Sequence, residues 1–309
     1  MNMSEPAQFF EASLRGEMRF DVPMSRHTSW RAGGVAQRMY RPADLADLQQ
    51  FLRQLQADEP LIAVGLGSNL LVRDGGLRGT VLLMHGALSE LRMDGDAIYA
   101  QAGVAGAKLA RFAAANNWCG AEFFAGIPGT LGGMLAMNAG CYGSETWQKV
   151  SRVQVMSRSG ELLERLPQEY EIGYRHVMKR DEKQNEELFV GAWLHFEQGD
   201  VEAARKEIKE LMEKRSASQP LQLPNAGSVF RNPPGNHAAK LIEGCGLKGK
   251  RIGGAQVSEK HANFIVNTGE ATAADIENLI NEVRATVLQQ SGIDLHPEVK
   301  IIGEYMNHE

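Results

Sequence analysis

A chain of 309 residues, 43% hydrophobic and 23% charged, has material for two or three domains and the composition of a globular protein. Its formal net charge of −5 argues against a general nucleic-acid binder, which usually carries a basic stripe. The three cysteines, Cys119, Cys141 and Cys245, are far apart and form no C-x-x-C pair, so they read as buried reduced thiols, with no disulfide framework and no metal site expected. The first twenty residues carry acids and no long apolar run, and no such run occurs later, so neither a signal peptide nor membrane insertion is expected.

In chain order, residues 43–55 read as a helix with Leu45, Leu48 and Leu52 on one face and Pro42 at its start. "PLIAVG" (60–65) and "TVLLM" (80–84) read as short buried strands, and "AIYAQAG" (97–103) as another. Residues 106–117 look helical, with Leu109, Phe112 and Ala113 inward. The stretch 123–143 is too rich in glycine for a long stable helix. Strands resume at 150–157, 161–166 and 188–196. An amphipathic helix covers 203–215, with Ile208, Leu211, Met212 and Arg215 on one side, and "SASQPLQLP" (216–224) is a turn-rich join. A strand at 263–267 follows. A helix then starts with the capping pair Thr272 and Asp275 and runs through Ile276, Leu279, Ile280, Val283, Val287 and Leu288. A strand at 298–303 ends the fold.

Two glycine loops stand out. "VGLGSNLLV" (64–72) follows a strand and begins like a dinucleotide turn, but position 70 is Leu, so it is not G-x-G-x-x-G and the Rossmann reading is weakened. Its backbone N–H groups, with Ser68 and Asn69, suit pyrophosphate oxygens; a tight strand turn is the plain alternative. "GIPGTLGGMLAMNAG" (126–140) places Gly126, Gly129, Gly132, Gly133 and Gly140 in one run, with Pro128 fixing φ. A large flat ligand lying against the backbone explains such a run, and so does close helix–sheet packing.

"SRHTSWRAGG" (25–34), "GLGSNLLV" (65–72), "GIPGTLGGMLAMNAGCYG" (126–143), "GYRH" (173–176), "NAGSVFRNP" (225–233), "GLKGKRIGGAQVSEKHANFIVN" (246–267) and "HPEV" (296–299) occur in that order. Together they resemble the UDP-N-acetylenolpyruvoylglucosamine reductase family over roughly residues 25–303. The resemblance implies an α+β, vanillyl-alcohol-oxidase-like (PCMH-type) FAD-binding fold of two α/β subdomains plus a C-terminal α+β substrate domain. The corresponding partition is an N-terminal extension at 1–24, subdomains at 25–85 and 86–200, and a substrate domain at 201–309 with its linker at 216–224. The chain looks like the family's shorter class, since it is short between 175 and 190 and again between 228 and 265, and so lacks the tyrosine-bearing loop.

The same resemblance implies the chemistry. NADPH reduces non-covalently bound FAD, NADP leaves, and the enolpyruvyl sugar nucleotide takes its place in the cytoplasm. Hydride passes to the vinyl carbon, charge spreads into the adjacent carboxylate, and one proton completes the lactyl ether. Ser228 is the implied proton donor, and Arg175 and Glu298 the implied charge sink, with Glu298 helping only when it carries or shares a proton. Cofactor contacts are expected from Gly65, Gly67, Ser68, Asn69, Leu70, Gly126, Ile127, Pro128, Gly129, Gly132, Gly133 and Asn138. Substrate contacts are expected from Tyr174, Arg231 and Asn232 and from at least one of Lys260, His261 and Asn263. His27 reads as structural or close to the flavin rather than as a covalent tether. Without the resemblance, Ser228 reads as a turn serine, Arg175 as a surface ion-pair residue and Glu298 as a solvated strand-end acid. Two other functions share some of these features. A flavin oxidase of alcohols or sugars would need a base near the flavin but not the Arg175, Ser228 and Glu298 set. A non-catalytic nucleotide-binding module would explain the glycine loops alone.

Overall fold

The computed structural model describes residues 14–180 and 187–306. The first thirteen residues of the expected N-terminal extension lie outside them, as does 181–186, part of the segment on which the shorter-class reading turns. Three layers of structure follow one another along the chain.

The first layer is a sheet of strands Glu17–Pro23, Val35–Arg41, Leu77–Leu83 and Leu61–Val64, side by side in that order. The first pair is antiparallel and the others are parallel. Two of these strands escape the apolar pattern: "EMRFDVP" exposes Arg19, Phe20 and Asp21 in succession, and "VAQRMYR" interleaves polar residues with a buried Met39–Tyr40 pair. Helix α1 (Leu45–Gln54) begins later than Pro42, where the Asp44 carboxylate accepts a hydrogen bond from Asp47 N at 2.9 Å. Its buried Leu48, Phe51 and Leu52 share a core with Tyr40 and Leu82 of this sheet and with Met156 and Val190 of the next. The helix thus fastens the two layers together.

The second layer is an antiparallel sheet in the order Leu162–Arg165, Val150–Met156, Leu188–Leu194, Ala97–Gln101 and Leu91–Asp94. Helices α2 (Gly106–Ala115) and α3 (Leu131–Met137) contribute Leu109, Ala113, Leu131 and Leu135 to its core. Helix α3 is only seven residues long, in keeping with the glycine content of 123–143. Helix α4 (Val201–Ser218) runs past the expected end of its segment, and its Ile208 packs on this same core. By packing, 201–218 sits with the second layer, whereas the expected partition counts it with the substrate domain. A hairpin of Tyr170–Gly173 and His176–Lys179 has no forewarning in the apolar pattern.

The third layer is a small antiparallel sheet of Arg251–Ile252, Ala255–Val257 and Ile265–Asn267, with α5 (Ala238–Gly244) and α6 (Ala273–Ser291). The Thr272–Asp275 capping box forms as read. Ile276, Leu279, Ile280, Val283 and Val287 of α6 are buried with Trp30, Phe230 and Ile242, whereas Leu288 is largely exposed. The last strand, Lys300–Ile302, leaves this layer and pairs in parallel with Leu70–Val72. That return carries Glu298 to the first glycine loop.

Candidate active site

A cavity of about 590 Å³ opens where the three layers meet, a volume ordinary for a cofactor or substrate site. Its walls bring together the first glycine loop, the second glycine loop, Arg175, Ser228 and Glu298. The trio expected to perform the chemistry therefore lines one space with both loops, although its members lie on three distant segments.

Of the expected cofactor residues, Gly65, Gly67, Ser68, Asn69, Leu70, Gly126, Ile127, Pro128, Gly129 and Gly133 line the cavity. Gly67 has φ +59°, and a Cβ there would press on the His27 carbonyl, so the turn demands glycine. His27 itself does not line the cavity. At Gly133 a Cβ would meet no atom within 4 Å, so the backbone there borders open space in the cavity wall. Gly132 and Asn138, also expected at the cofactor, lie outside the cavity lining. Gly132 donates its N–H to Ala102 O at 2.9 Å, and a Cβ there would lie 2.9 Å from the Ala102 methyl, so it serves close helix–sheet packing. Asn138 is almost fully buried and absent from the cavity wall.

Arg175 and Glu298 meet directly, Nε donating to Oε1 at 2.5 Å, with both side chains mostly buried. Arg175 Nη1 donates to Asn138 O at 3.3 Å and Nη2 to Gly140 O at 3.2 Å. Three of the guanidinium's five N–H groups are thus committed, and one on each terminal nitrogen remains. Neither residue is a solvated surface charge, the reading each had without the resemblance.

Ser228 and Glu298 are held in register by backbone. Glu298 N donates to Val229 O at 2.7 Å, Arg231 N donates to His296 O at 2.9 Å, and Phe230 pairs with Pro297. From the other side Asn69 Nδ2 donates to Glu298 O at 3.1 Å. Among the described residues no hydrogen bond takes up the Ser228 hydroxyl, which is half-buried in the cavity wall. Gly227 beside it has φ +75° and open space at its Cβ, letting the loop turn its hydroxyl toward a ligand.

The expected substrate residues divide. Tyr174 is exposed, with the Arg175 guanidinium 5.0 Å from its ring centre, and lies outside the cavity lining. Arg231 Nη2 donates to Arg175 O at 3.3 Å, while its Nε is buried without a partner. Asn232 is exposed and accepts from Ala238 N at 3.0 Å, at the start of α5. Asn263 is buried with its amide spent on one residue: Oδ1 accepts from Phe230 N and Nδ2 donates to Phe230 O. It braces the Ser228 segment through this pair of bonds. Lys260 lines a second recess of about 390 Å³ and donates to Ser216 O at 2.7 Å. His261 has a buried, unpartnered Nδ1 and packs edge-on against Phe264.

Sequence reasoning missed Arg215 as a site residue. It lies in the last turn of α4 and lines the cavity, where its Nε donates to Gln219 at 3.0 Å. Burial pushes its guanidinium below its ordinary value, and among the described residues no carboxylate pairs with it. Its signal was already visible as an arginine sharing a helix face with Ile208 and Leu211. Gln219 lines both the cavity and the recess at Lys260. The Cys141 thiol, also in the wall, is pushed up to about 11 by burial, which keeps it protonated and unreactive. All three cysteines are free thiols, half-buried rather than buried. Among the described residues no cluster of potential metal ligands occurs, and no helix is long and apolar enough to cross a membrane.

Residues 36–165 match the family described as FAD binding domain, and 219–302 match the one described as UDP-N-acetylenolpyruvoylglucosamine reductase, C-terminal domain. The chain is 56% identical over 305 residues to the UDP-N-acetylenolpyruvoylglucosamine reductase of Thiobacillus denitrificans, covering 94% of each chain. It is 55% identical to that of Methylococcus capsulatus, over 98% of this chain and 99% of the other. In structure it resembles the UDP-N-acetylenolpyruvylglucosamine reductase of Thermus caldophilus, with a TM-score of 0.78, 29% identity, and 93% and 99% of the two chains covered.

Proposed function

The chain belongs to the UDP-N-acetylenolpyruvoylglucosamine reductase family, and from that premise we propose how its residues divide the work. It is an oxidoreductase of peptidoglycan precursor synthesis. It uses FAD and NADPH to reduce the enolpyruvyl group of UDP-N-acetylenolpyruvoylglucosamine, giving UDP-N-acetylmuramate. The cavity suits FAD: the backbone of 65–70 and 126–129 faces it, and the space at Gly133 admits a flat group against the chain. Bound there, FAD supplies the hydride chemistry that links NADPH to the vinyl group.

The protein's own part concerns charge and one proton. As hydride arrives at the vinyl carbon, negative charge grows on the substrate carboxylate. Arg175 meets it with the free N–H groups of Nη1 and Nη2, already fixed in orientation, so little reorganisation is left for the reaction. Glu298 holds the guanidinium through Nε, fixing its orientation toward that carboxylate. Ser228 gives its Oγ proton to the carbon beside that carboxylate. A hydroxyl is a weak acid, but it faces a strong base at fixed distance. Arg215 offers a further unpaired cation to the anionic groups of NADPH and of the sugar nucleotide, which use the cavity in turn. Three free thiols support a cytoplasmic setting.

The observation that carries this reading is the Arg175–Glu298 contact in the wall shared with Ser228 and the glycine loops. The test is the visible spectrum of the purified protein under anaerobic NADPH. Flavin bands should bleach and return on adding the enolpyruvyl sugar nucleotide. In Ser228→Ala, bleaching should keep its rate and the return should slow by about 10²–10⁴-fold. Loss of both steps would make Ser228 structural. Bands that bleach but never return with that substrate would favour the flavin-oxidase alternative.

A further inference from the structure

Arg175 occupies a conformation that arginine rarely takes. Gly173 and His176 are paired across the hairpin, so Tyr174 and Arg175 form its two-residue turn. Arg175 is the second turn residue and has φ +55°, a left-handed position that favours glycine or asparagine. A longer side chain stays there only where its surroundings impose the conformation.

Asn138 is the residue that grips this turn at both ends. It closes α3 with φ +42° and is 1% exposed. Its Nδ2 donates to Gly173 O at 3.1 Å, just before the turn, and to Glu145 Oε2 at 2.8 Å. Its backbone carbonyl accepts from Arg175 Nη1 at 3.3 Å, at the end of the turn's side chain. Its Oδ1 accepts from Trp147 N at 3.1 Å. These partners fix which way the amide points: a flipped amide would set its oxygen against two acceptors and its nitrogen against an N–H. The amide is therefore spent inside the protein. Helix α3, meanwhile, lines the cavity through Gly133, Met134 and Met137. One short helix thus forms part of the cavity wall and holds the arginine beside it.

We propose that Asn138 is the positioning residue of Arg175: it sets the guanidinium against the cavity and acts on the reaction only through that side chain. The proposal rests on the role given to Arg175 above. The test uses FAD-loaded, full-length Asn138→Gly and Asn138→Asp, each alone and combined with Arg175→Lys, in anaerobic stopped-flow measurements of both half-reactions. Glycine keeps the left-handed backbone and the carbonyl but removes every side-chain bond. Aspartate keeps the shape and the acceptor for Trp147 but loses both donations.

FAD content and bleaching by NADPH should be unchanged, and reoxidation by the enolpyruvyl sugar nucleotide should slow about 10²-fold. With Arg175→Lys already present, the same changes should add less than about twofold, the signature of coupled residues. Equal slowing in both backgrounds would overturn the proposal. So would lost FAD or slow bleaching, which would make Asn138 a cofactor ligand. Absence of folded protein in both single variants would make it a folding residue and overturn the proposal as well. If Arg175→Lys alone leaves reoxidation unchanged, it is the assignment of Arg175 that fails. If it slows reoxidation and the Asn138 variants do not, only the positioning role fails.

Discussion

Two arginines stand in the wall of one cavity and differ in almost everything else. Arg175 sits on a strained turn and is bound to a carboxylate and two backbone carbonyls. Arg215 ends a helix and is bound to one neutral amide. The first has its orientation settled before any ligand arrives, which is what stabilising a developing charge requires. The second carries a half-buried charge with no carboxylate beside it among the described residues, eased by the Gln219 amide oxygen and by the carbonyl end of α4, the latter worth about 0.3–1 kcal/mol. Such a cation is costly until an anion joins it. On the assignment proposed above, the first serves the transition state and the second serves binding.

The largest effect should come from breaking the first. Arg175→Lys keeps the charge but loses the planar fork and its three anchors, so reoxidation by the sugar nucleotide should fall about 10²–10³-fold while bleaching by NADPH survives. Arg215→Met should do the reverse. Dissociation constants for NADPH and the sugar nucleotide should rise about 10–100-fold, the value of a charged hydrogen bond, with the bound-state rates nearly unchanged. Melting temperatures sharpen the contrast. Arg175→Met strands the Glu298 carboxylate and should lower the melting temperature of the ligand-free protein, whereas Arg215→Met removes an unpaired cation and should not. Matching rate and affinity profiles for the two arginines would erase the distinction.

The contrast also explains what the sequence could tell. Contiguous features were legible: the loop 65–70, the loop 126–133 and the capping box at Thr272 are local in the chain and local in space. The meeting of Arg175, Ser228 and Glu298 came only with the family resemblance. It depends on the 300–302 strand returning to 70–72 and on a hairpin whose apolar pattern is silent. Gly132, Asn138 and Asn263 share motifs with the cavity-lining residues yet lie outside the lining, because motifs do not separate residues that line a wall from those that hold it from behind. Arg215 was missed for the opposite reason. Its helix was read as packing, and a cation on the packed face is informative only once the missing carboxylate can be seen.

Asn232 tests that same separation with a smaller effect. Its side chain accepts from Ala238 N at the start of α5 and is absent from the cavity wall. Asn232→Ala should cost about 1 kcal/mol of stability, as lost helix caps do, measurable by urea denaturation. Its steady-state constants should move less than those of Arg215→Met. A larger rise in substrate KM than Arg215→Met gives would return Asn232 to the ligand and weaken the claim that Arg215 is the main unpaired anchor.

The smallest effect concerns the other solution to a buried cation. Arginine cannot shed its proton, so Arg215 waits for an anion; histidine can, and burial favours the neutral form of His261. Burial pushes its imidazole below the ordinary value near 6.5, and its Nδ1 has no partner. The unfolded chain therefore binds a proton near pH 6.5 that the folded chain takes up only at lower pH. Where the unfolded state holds more protons, stability rises with pH, so His261 should erode stability as pH falls from about 6.5 towards its folded value, with the loss complete and the slope gone below it. His27 is lowered in the same direction, also mainly by burial, so each accounts for part of the slope. His261→Gln should make urea midpoints less dependent on pH below about 6.5, whatever it does to their absolute level. Arg215→Met should leave that slope alone, since its charge is the same in both states across the window. An unchanged slope in His261→Gln would mean that the imidazole finds a proton acceptor in the folded protein, and that only Arg215 bears an uncompensated site.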